Sequence, residues 1–122
     1  MIKISTLPKT WIFDLDGTIV KHNGYLIDGK DTLLEGARDF FRSIPKEDYV
    51  LILSARKKKY RRKTIKFLRQ NKIRFDEIRF DMPVGERILV NDEKPKGLKT
   101  SLAINTKRDE FMKEKFEITE EI

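Results

Sequence analysis

Cysteine is absent from this chain and histidine occurs once, as His22. No disulfide framework or thiolate metal site can be built, and a zinc centre resting on several histidines is excluded as well. Any metal must therefore be held by oxygen. No run of about 18 apolar residues occurs, so no conventional membrane-spanning helix is expected. Met1-Ile2-Lys3-Ile4-Ser5 has neither the apolar stretch nor the small-residue cleavage site of a secretory signal. A cytoplasmic protein without membrane contact is the expectation. Repeats, low-complexity segments and Gly/Ser linkers are also missing, and 122 residues with 39% hydrophobic content suit one core. A single domain over residues 1–122 follows.

What the chain has in excess is positive charge, +7 from 27 basic and 20 acidic residues. Arg56 to Lys72 accounts for it, holding ten of the 27 basic residues and no acidic one. Such a run attracts nucleic acid or an anionic substrate. At helical spacing it is more commonly the solvated face of a helix.

Apolar runs and helical periodicities alternate along the chain. Thr10 to Leu15 reads as a strand covered on both faces. From Thr18 to Asp28, Ile19-Val20 and Tyr25-Leu26-Ile27 flank Asn23-Gly24, a dipeptide suited to a tight hairpin turn. Thr32 and Glu35 have the spacing of a capping box, and Leu33, Ala37, Phe40, Phe41 and Ile44 follow at helical intervals up to Pro45. Tyr49 to Leu53 is a second buried strand. Beyond it the basic stretch carries Tyr60, Thr64, Phe67, Leu68 and Asn71 at helical spacing. Short strands are expected near Phe75 to Phe80, at Arg87 to Asn91 and at Ser101 to Asn105, then a charged helix from about Lys107. Alternating strands and helices predict an α/β fold with a parallel sheet.

Active sites of open parallel sheets form where the C-terminal ends of strands meet the following loops. Three expected strand ends carry polar residues: Asp14 with Asp16, Ser54 with Arg56, and Asn91-Asp92-Glu93. Residues two apart at a strand end point the same way, so Asp14 and Asp16 can face one ligand while Phe13 and Leu15 face the core. One carboxylate can attack phosphorus to give an aspartyl-phosphate while the other protonates the leaving oxygen and later takes a proton from water. Two carboxylates beside a phosphate dianion call for a hard divalent cation, with Asp92 as a third acidic ligand. Gly17 lets backbone amides turn toward an oxyanion. Thr18 and Ser54 could add hydroxyl donors, although a Ser after a strand is also a common helix N-cap. Trp11 and Tyr60 are assigned to apolar packing, and His22 to solvent beside the hairpin.

Asp14-Leu15-Asp16-Gly17-Thr18, with strands ending in Ser54 and in Asn91-Asp92, resembles the haloacid dehalogenase (HAD) superfamily over roughly residues 10 to 95. The resemblance implies a Rossmann-like parallel sheet flanked by helices. It implies Asp14 as nucleophile, Asp16 as general acid and base, and Mg²⁺ held by Asp14, the Asp16 carbonyl and Asp92. It makes the Asn23-Gly24 hairpin a flap over the site, in a chain with no room for a cap domain. Many members place two aspartates where this chain has Asn91, Asp92 and Glu93, so Glu93 is a less certain ligand than Asp92.

Members also carry a Lys or Arg on a helix before the last motif strand, and only about six residues separate Phe80 from Arg87, too few for a parallel crossover. Arg87 would begin its strand about 16 Å from Asp92 at about 3.3 Å per residue, at the wrong edge. Lys94 is the favoured replacement cation, followed by Arg56.

Leu89 to Gly97 resembles short HAD phosphatases associated with bacterial surface-carbohydrate biosynthesis, which implies a sugar phosphate or another small phosphorylated metabolite. A homo-oligomer could complete the open site. The alternatives are a nucleic-acid end phosphatase that grips a polynucleotide through the basic helix 57–72, and a non-catalytic module that binds anions or a partner. Phosphomutase activity is disfavoured because transfer to a second hydroxyl needs a cap that excludes water.

Overall fold

The computed structural model describes residues 1–120. Its elements are β1 (Ile2–Ser5), β2 (Thr10–Asp14), α1 (Gly24–Ile27), α2 (Ala37–Ser43), β3 (Tyr49–Leu53), α3 (Arg61–Gln70, preceded by a 3-10 turn at Lys58–Tyr60), β4 (Glu77–Arg79) and β5 (Phe116–Thr119). The fold is α/β, with two small parallel sheets, and the chain divides into two compact units. One unit comprises Pro8–Val84 and Thr106–Met112; the other comprises Met1–Leu7, Gly85–Asn105 and the stretch from Lys113.

In the first unit the sheet order is β2-β3-β4, all parallel, with Asp14 opposite Leu53 and Leu53 opposite Arg79. The three strands therefore end together. Phe13, Ile52 and Ile78 share a register and a face, and that face carries the core with Leu15, Ile19, Phe41, Leu68 and Phe111. Phe13 lies 4.6 Å from Phe41 between ring centroids, and Trp11 meets Phe40 edge to face at 5.4 Å. The Trp11 indole N–H donates to the buried Asp48 at 2.9 Å, so its polar tip is satisfied while its ring packs. The opposite face stays open: Ile12 and Tyr49 are 47% and 45% exposed. Cover on both faces, expected from the continuous apolar run of β2, is thus not found.

Two local expectations are also corrected in this unit. Asn23 adopts a left-handed conformation (φ 54°), but it starts the one-turn helix α1 and not a hairpin turn. The antiparallel contact forms instead between residues 19–21 and 32–34, through the Val20–Leu33 bridge and the Lys21 N–H to Thr32 C=O bond of 2.9 Å. Because Leu33 is held extended in that bridge, the Thr32/Glu35 capping box does not form; α2 begins at Ala37 after Gly36, whose φ is 92°.

In the second unit β1 and β5 pair in parallel from Ile2 opposite Phe116 to Ser5 opposite Thr119. Among the described residues the charged helix expected from Lys107 does not form, and Phe116–Thr119 are β5. Neither Arg87–Asn91 nor Ser101–Asn105 is a strand; Ile88 and Val90 are 86% and 89% exposed. An apolar run without neighbouring strands leaves its backbone to water. No helix among the described residues is long and apolar enough to cross a membrane.

Candidate functional site

Because β2, β3 and β4 end in register, one edge of the sheet gathers the turns after Asp14, Leu53 and Arg79. At the first, the chain tightens around Leu15, whose carbonyl accepts from the amides of Thr18, Ile19 and Val20. Leu15 is fully buried, and the acids on either side of it are only partly so. Gly17 has φ 81°, a left-handed conformation that a side chain would strain, and a Cβ there would come within 3.3 Å of Arg108 Cγ. The Gly17 amide donates to the Val20 carbonyl at 2.7 Å, and its carbonyl accepts from the Asp109 amide at 2.8 Å. The amides of Gly17 and Thr18 are therefore engaged within the turn. Thr18 Oγ1 donates to Asp14 Oδ2 at 3.2 Å, placing its hydroxyl on the expected nucleophile.

The second turn delivers Arg56 to Asp16. Ser54 is buried and its Oγ accepts from the Arg56 amide at 3.0 Å, so it closes the turn and does not cap a helix. The Arg56 side chain, 1% exposed, uses all five of its N–H groups. Nε and Nη2 grip Asp16, each at 3.0 Å. Nη2 and Nη1 grip Asp31 at 2.6 and 2.9 Å, and Nη1 also donates to Thr64 Oγ1 at 2.9 Å. Its guanidinium carbon stands 3.9 Å from the centre of the Tyr25 ring. Burial by itself would lower the Arg56 pKa; the hydrogen bonds it donates to Asp31 and Asp16 override it and leave the pKa raised. The Tyr25 phenol is pushed up first by burial and then by the Asp16 charge, with Arg56 opposing. Arg56, considered above as a phosphate-binding cation, is placed here as a fork holding two carboxylates.

Asp31 was not expected at this site. A buried guanidinium demands carboxylate partners, but nothing near Asp31 in sequence shows which acid, 25 residues from Arg56, will answer. Arg108 beside Gly17 was missed for the same reason, the contact being long-range. At the third strand end sits Asp81, whose amide donates to the Arg56 carbonyl at 2.8 Å and whose carboxylate accepts from the Lys58 amide at 3.3 Å. His22 is half-buried, its ring beside Gly17 and its amide donating to Asp109 Oδ1 at 2.6 Å, rather than solvated at a hairpin tip.

Asp92, Glu93 and Lys94 belong to the other unit, in the exposed stretch Gly85–Asn105. The Asp92 carbonyl accepts from Thr100 Oγ1, Glu93 pairs with Lys99, and Lys94 opens a turn closed by the Gly97 amide at 2.8 Å. Arg87 lies in the same stretch, also exposed. The strand expected to lead into Asp92 is not formed. Among the described residues no group of three or more His, Cys, Asp or Glu is arranged to hold a metal ion.

No protein-family model and no curated protein matches the chain. Solved structures do. The chain is similar to a chain of the Pnkp1/Rnl/Hen1 complex, with 28% identity and a TM-score of 0.52 over 68% of this chain and 31% of that one. It is also similar to a chain of the Pnkp1/Rnl/Hen1 RNA repair complex, with 28% identity and a TM-score of 0.53 over 67% and 28% of the two chains. This chain thus spans less than a third of the length of the chains it matches.

Proposed function

We propose that this chain is a HAD-type phosphomonoesterase acting on the phosphorylated end of a polynucleotide, with Asp14 as nucleophile and Asp16 as general acid and base. The observation that carries the proposal is the strand end itself: Asp14 and Asp16 flank buried Leu15 where three parallel strands finish, and Asp16 is held there by a buried arginine. An oxygen of Asp14 attacks phosphorus, the ester P–O bond breaks, and Asp16 gives its proton to the leaving oxygen. Water then attacks the aspartyl-phosphate, the bond from phosphorus to Asp14 breaks, Asp16 takes a proton from that water, and inorganic phosphate leaves. The Thr18 hydroxyl aligns Asp14, and the Arg108 side chain passes beside Gly17 at the same turn. Lys94 and Asp92 lie on a stretch that lacks the strand expected to present them.

Similarity to chains of an RNA repair complex supports a polynucleotide end over the sugar phosphate expected from the Leu89–Gly97 resemblance, for which the comparisons offer nothing. The exposed cations leading into and along α3 support it as well.

The test is phosphate release from p-nitrophenyl phosphate, sugar phosphates, and oligonucleotides bearing a 5′ or 3′ terminal phosphate, with and without Mg²⁺. Oligonucleotide turnover above that of the sugar phosphates, lost in Asp14→Asn, is expected. Turnover that survives Asp14→Asn would overturn the mechanism. No release from any ester by folded protein would leave the anion- or partner-binding module as the better account.

A further inference from the structure

Next to the fork on Asp16 lies a surface that the chemistry above does not use. Tyr25 of α1 and Tyr60, which precedes α3, meet edge to face with ring centroids 4.9 Å apart, and both are half-buried. Arg56 joins this pair to the site, since it grips Asp16 with two N–H groups while stacked over Tyr25. Leu26 and Ile27, which follow Tyr25, are 55% and 71% exposed, so apolar surface continues outward from the rings.

On the other side of Tyr60 the cations begin. Lys57, Lys58 and Lys59 are exposed, and within α3 the exposed Arg62, Lys63, Lys66 and Arg69 lie opposite the buried Thr64 and Leu68. The spacing 62, 66, 69 places three of them in one stripe along the helix. Among the described residues Arg62, Lys63 and Lys66 have no acidic partner. The first turn of α3 is fixed to the site, because Thr64 Oγ1 accepts from Arg56 and donates to the Tyr60 carbonyl at 2.8 Å. The order from the strand end outward is therefore carboxylates, arginine, aromatic pair, cationic helix.

We propose that this surface binds the strand that carries the terminal phosphate, in single-stranded form: unstacked bases next to the reacting end lie on Tyr25, Tyr60 and Leu26, and the backbone phosphates that follow run along the α3 stripe. The proposal rests on the polynucleotide reading above and deepens it. Sites for single strands combine a cationic track with aromatic side chains that take the faces of bases, and a duplex hides those faces. α3 is about 15 Å long at about 1.5 Å per residue, enough for several backbone phosphates. A lone sugar phosphate would engage none of this stripe.

The experiment is fluorescence anisotropy of a dye-labelled oligonucleotide ending in hydroxyls at both ends, so that binding is read without turnover. Single strand and duplex, RNA and DNA, are compared across a salt series with the full chain. The single strand is expected to bind more tightly than the duplex, with a log–log salt slope on the order of −2, as about three released contacts would give. Tyr25→Leu weakens binding on the order of tenfold. Arg62→Gln with Lys66→Gln, both at exposed positions, reduces the slope by roughly 1.4; Arg42→Gln with Lys46→Gln, on a different part of the unit, leaves it unchanged. A duplex bound as tightly as the single strand, or an Arg62/Lys66 variant indistinguishable from the Arg42/Lys46 control, would overturn the proposal. Binding as described without Asp14-dependent phosphate release would uphold this surface and remove the catalytic reading. Asp14-dependent release from oligonucleotides without salt-dependent single-strand binding would do the reverse.

Discussion

The end of β2 and the stretch Gly85–Asn105 are assembled from similar ingredients, an apolar run leading into acidic residues, and they end differently. After β2, Asp16 is gripped at two oxygens by a buried arginine whose every N–H is used, and Leu15 between the acids is sealed from water. Along Gly85–Asn105, Ile88, Leu89 and Val90 stand in solvent, and the polar contacts are an exposed Glu93–Lys99 pair and a turn at Lys94. The difference lies in the partners. Trp11 to Asp14 has β3 alongside, residue for residue, and Phe41 and Phe111 beneath. Three apolar residues in a row become a strand only where another strand offers donors and acceptors.

Substitutions made in pairs, one in each region, test this contrast. The largest effect is expected in turnover: Asp14→Asn reduces phosphate release to background, and Asp92→Asn measured beside it reads whether the exposed stretch takes part. Comparable losses would show that the exposed stretch reaches the chemistry. In urea unfolding, Arg56→Met leaves Asp16 and Asp31 without their shared counter-charge and costs about 3–5 kcal/mol, while Lys94→Met falls within about 0.5 kcal/mol. Ile52→Ala removes a fully buried side chain beside Phe13 and costs about 2–5 kcal/mol, against about 0.5 kcal/mol or less for Val90→Ala. Limited proteolysis sharpens the comparison without mutation, with first cuts expected inside residues 85–105 and the span from α2 to β4 persisting intact. The smallest effect belongs to Lys21, whose hydrogen bond to Asp28 and then its charge raise the ammonium pKa. Whatever stability that pair adds is present at neutral pH and is lost as pH rises through the raised value, so Lys21→Gln should match wild type in an alkaline melt and differ little elsewhere.

Much of the first unit was legible in the sequence. β2 and β3 announced themselves as contiguous apolar runs, and α3 by Thr64 and Leu68 one turn apart beneath a row of cations. Thr18 was expected as a hydroxyl donor to phosphate, and its hydroxyl donates to Asp14. Local pattern failed where a distant contact decided the outcome. Leu33 looked helical and was claimed by Val20. Asp31 carried no local sign of its role and became half of the cradle around Arg56. β1 and β5 did carry a signal, the strict alternation in Ile2-Lys3-Ile4-Ser5 and Phe116-Glu117-Ile118-Thr119, but each is short and needs the other end of the chain as its partner.

Two carboxylates around one guanidinium amount to a net charge of −1, and adding a single proton to either acid brings the trio to neutrality with one ion pair intact. Arg56 can thus remain matched by Asp31 whether Asp16 is charged or neutral. An interior holding one arginine and one aspartate would meet an isolated buried cation each time that aspartate took up a proton. With Asp31 present, the buried guanidinium keeps a carboxylate partner beneath the strand end whatever the state of Asp16.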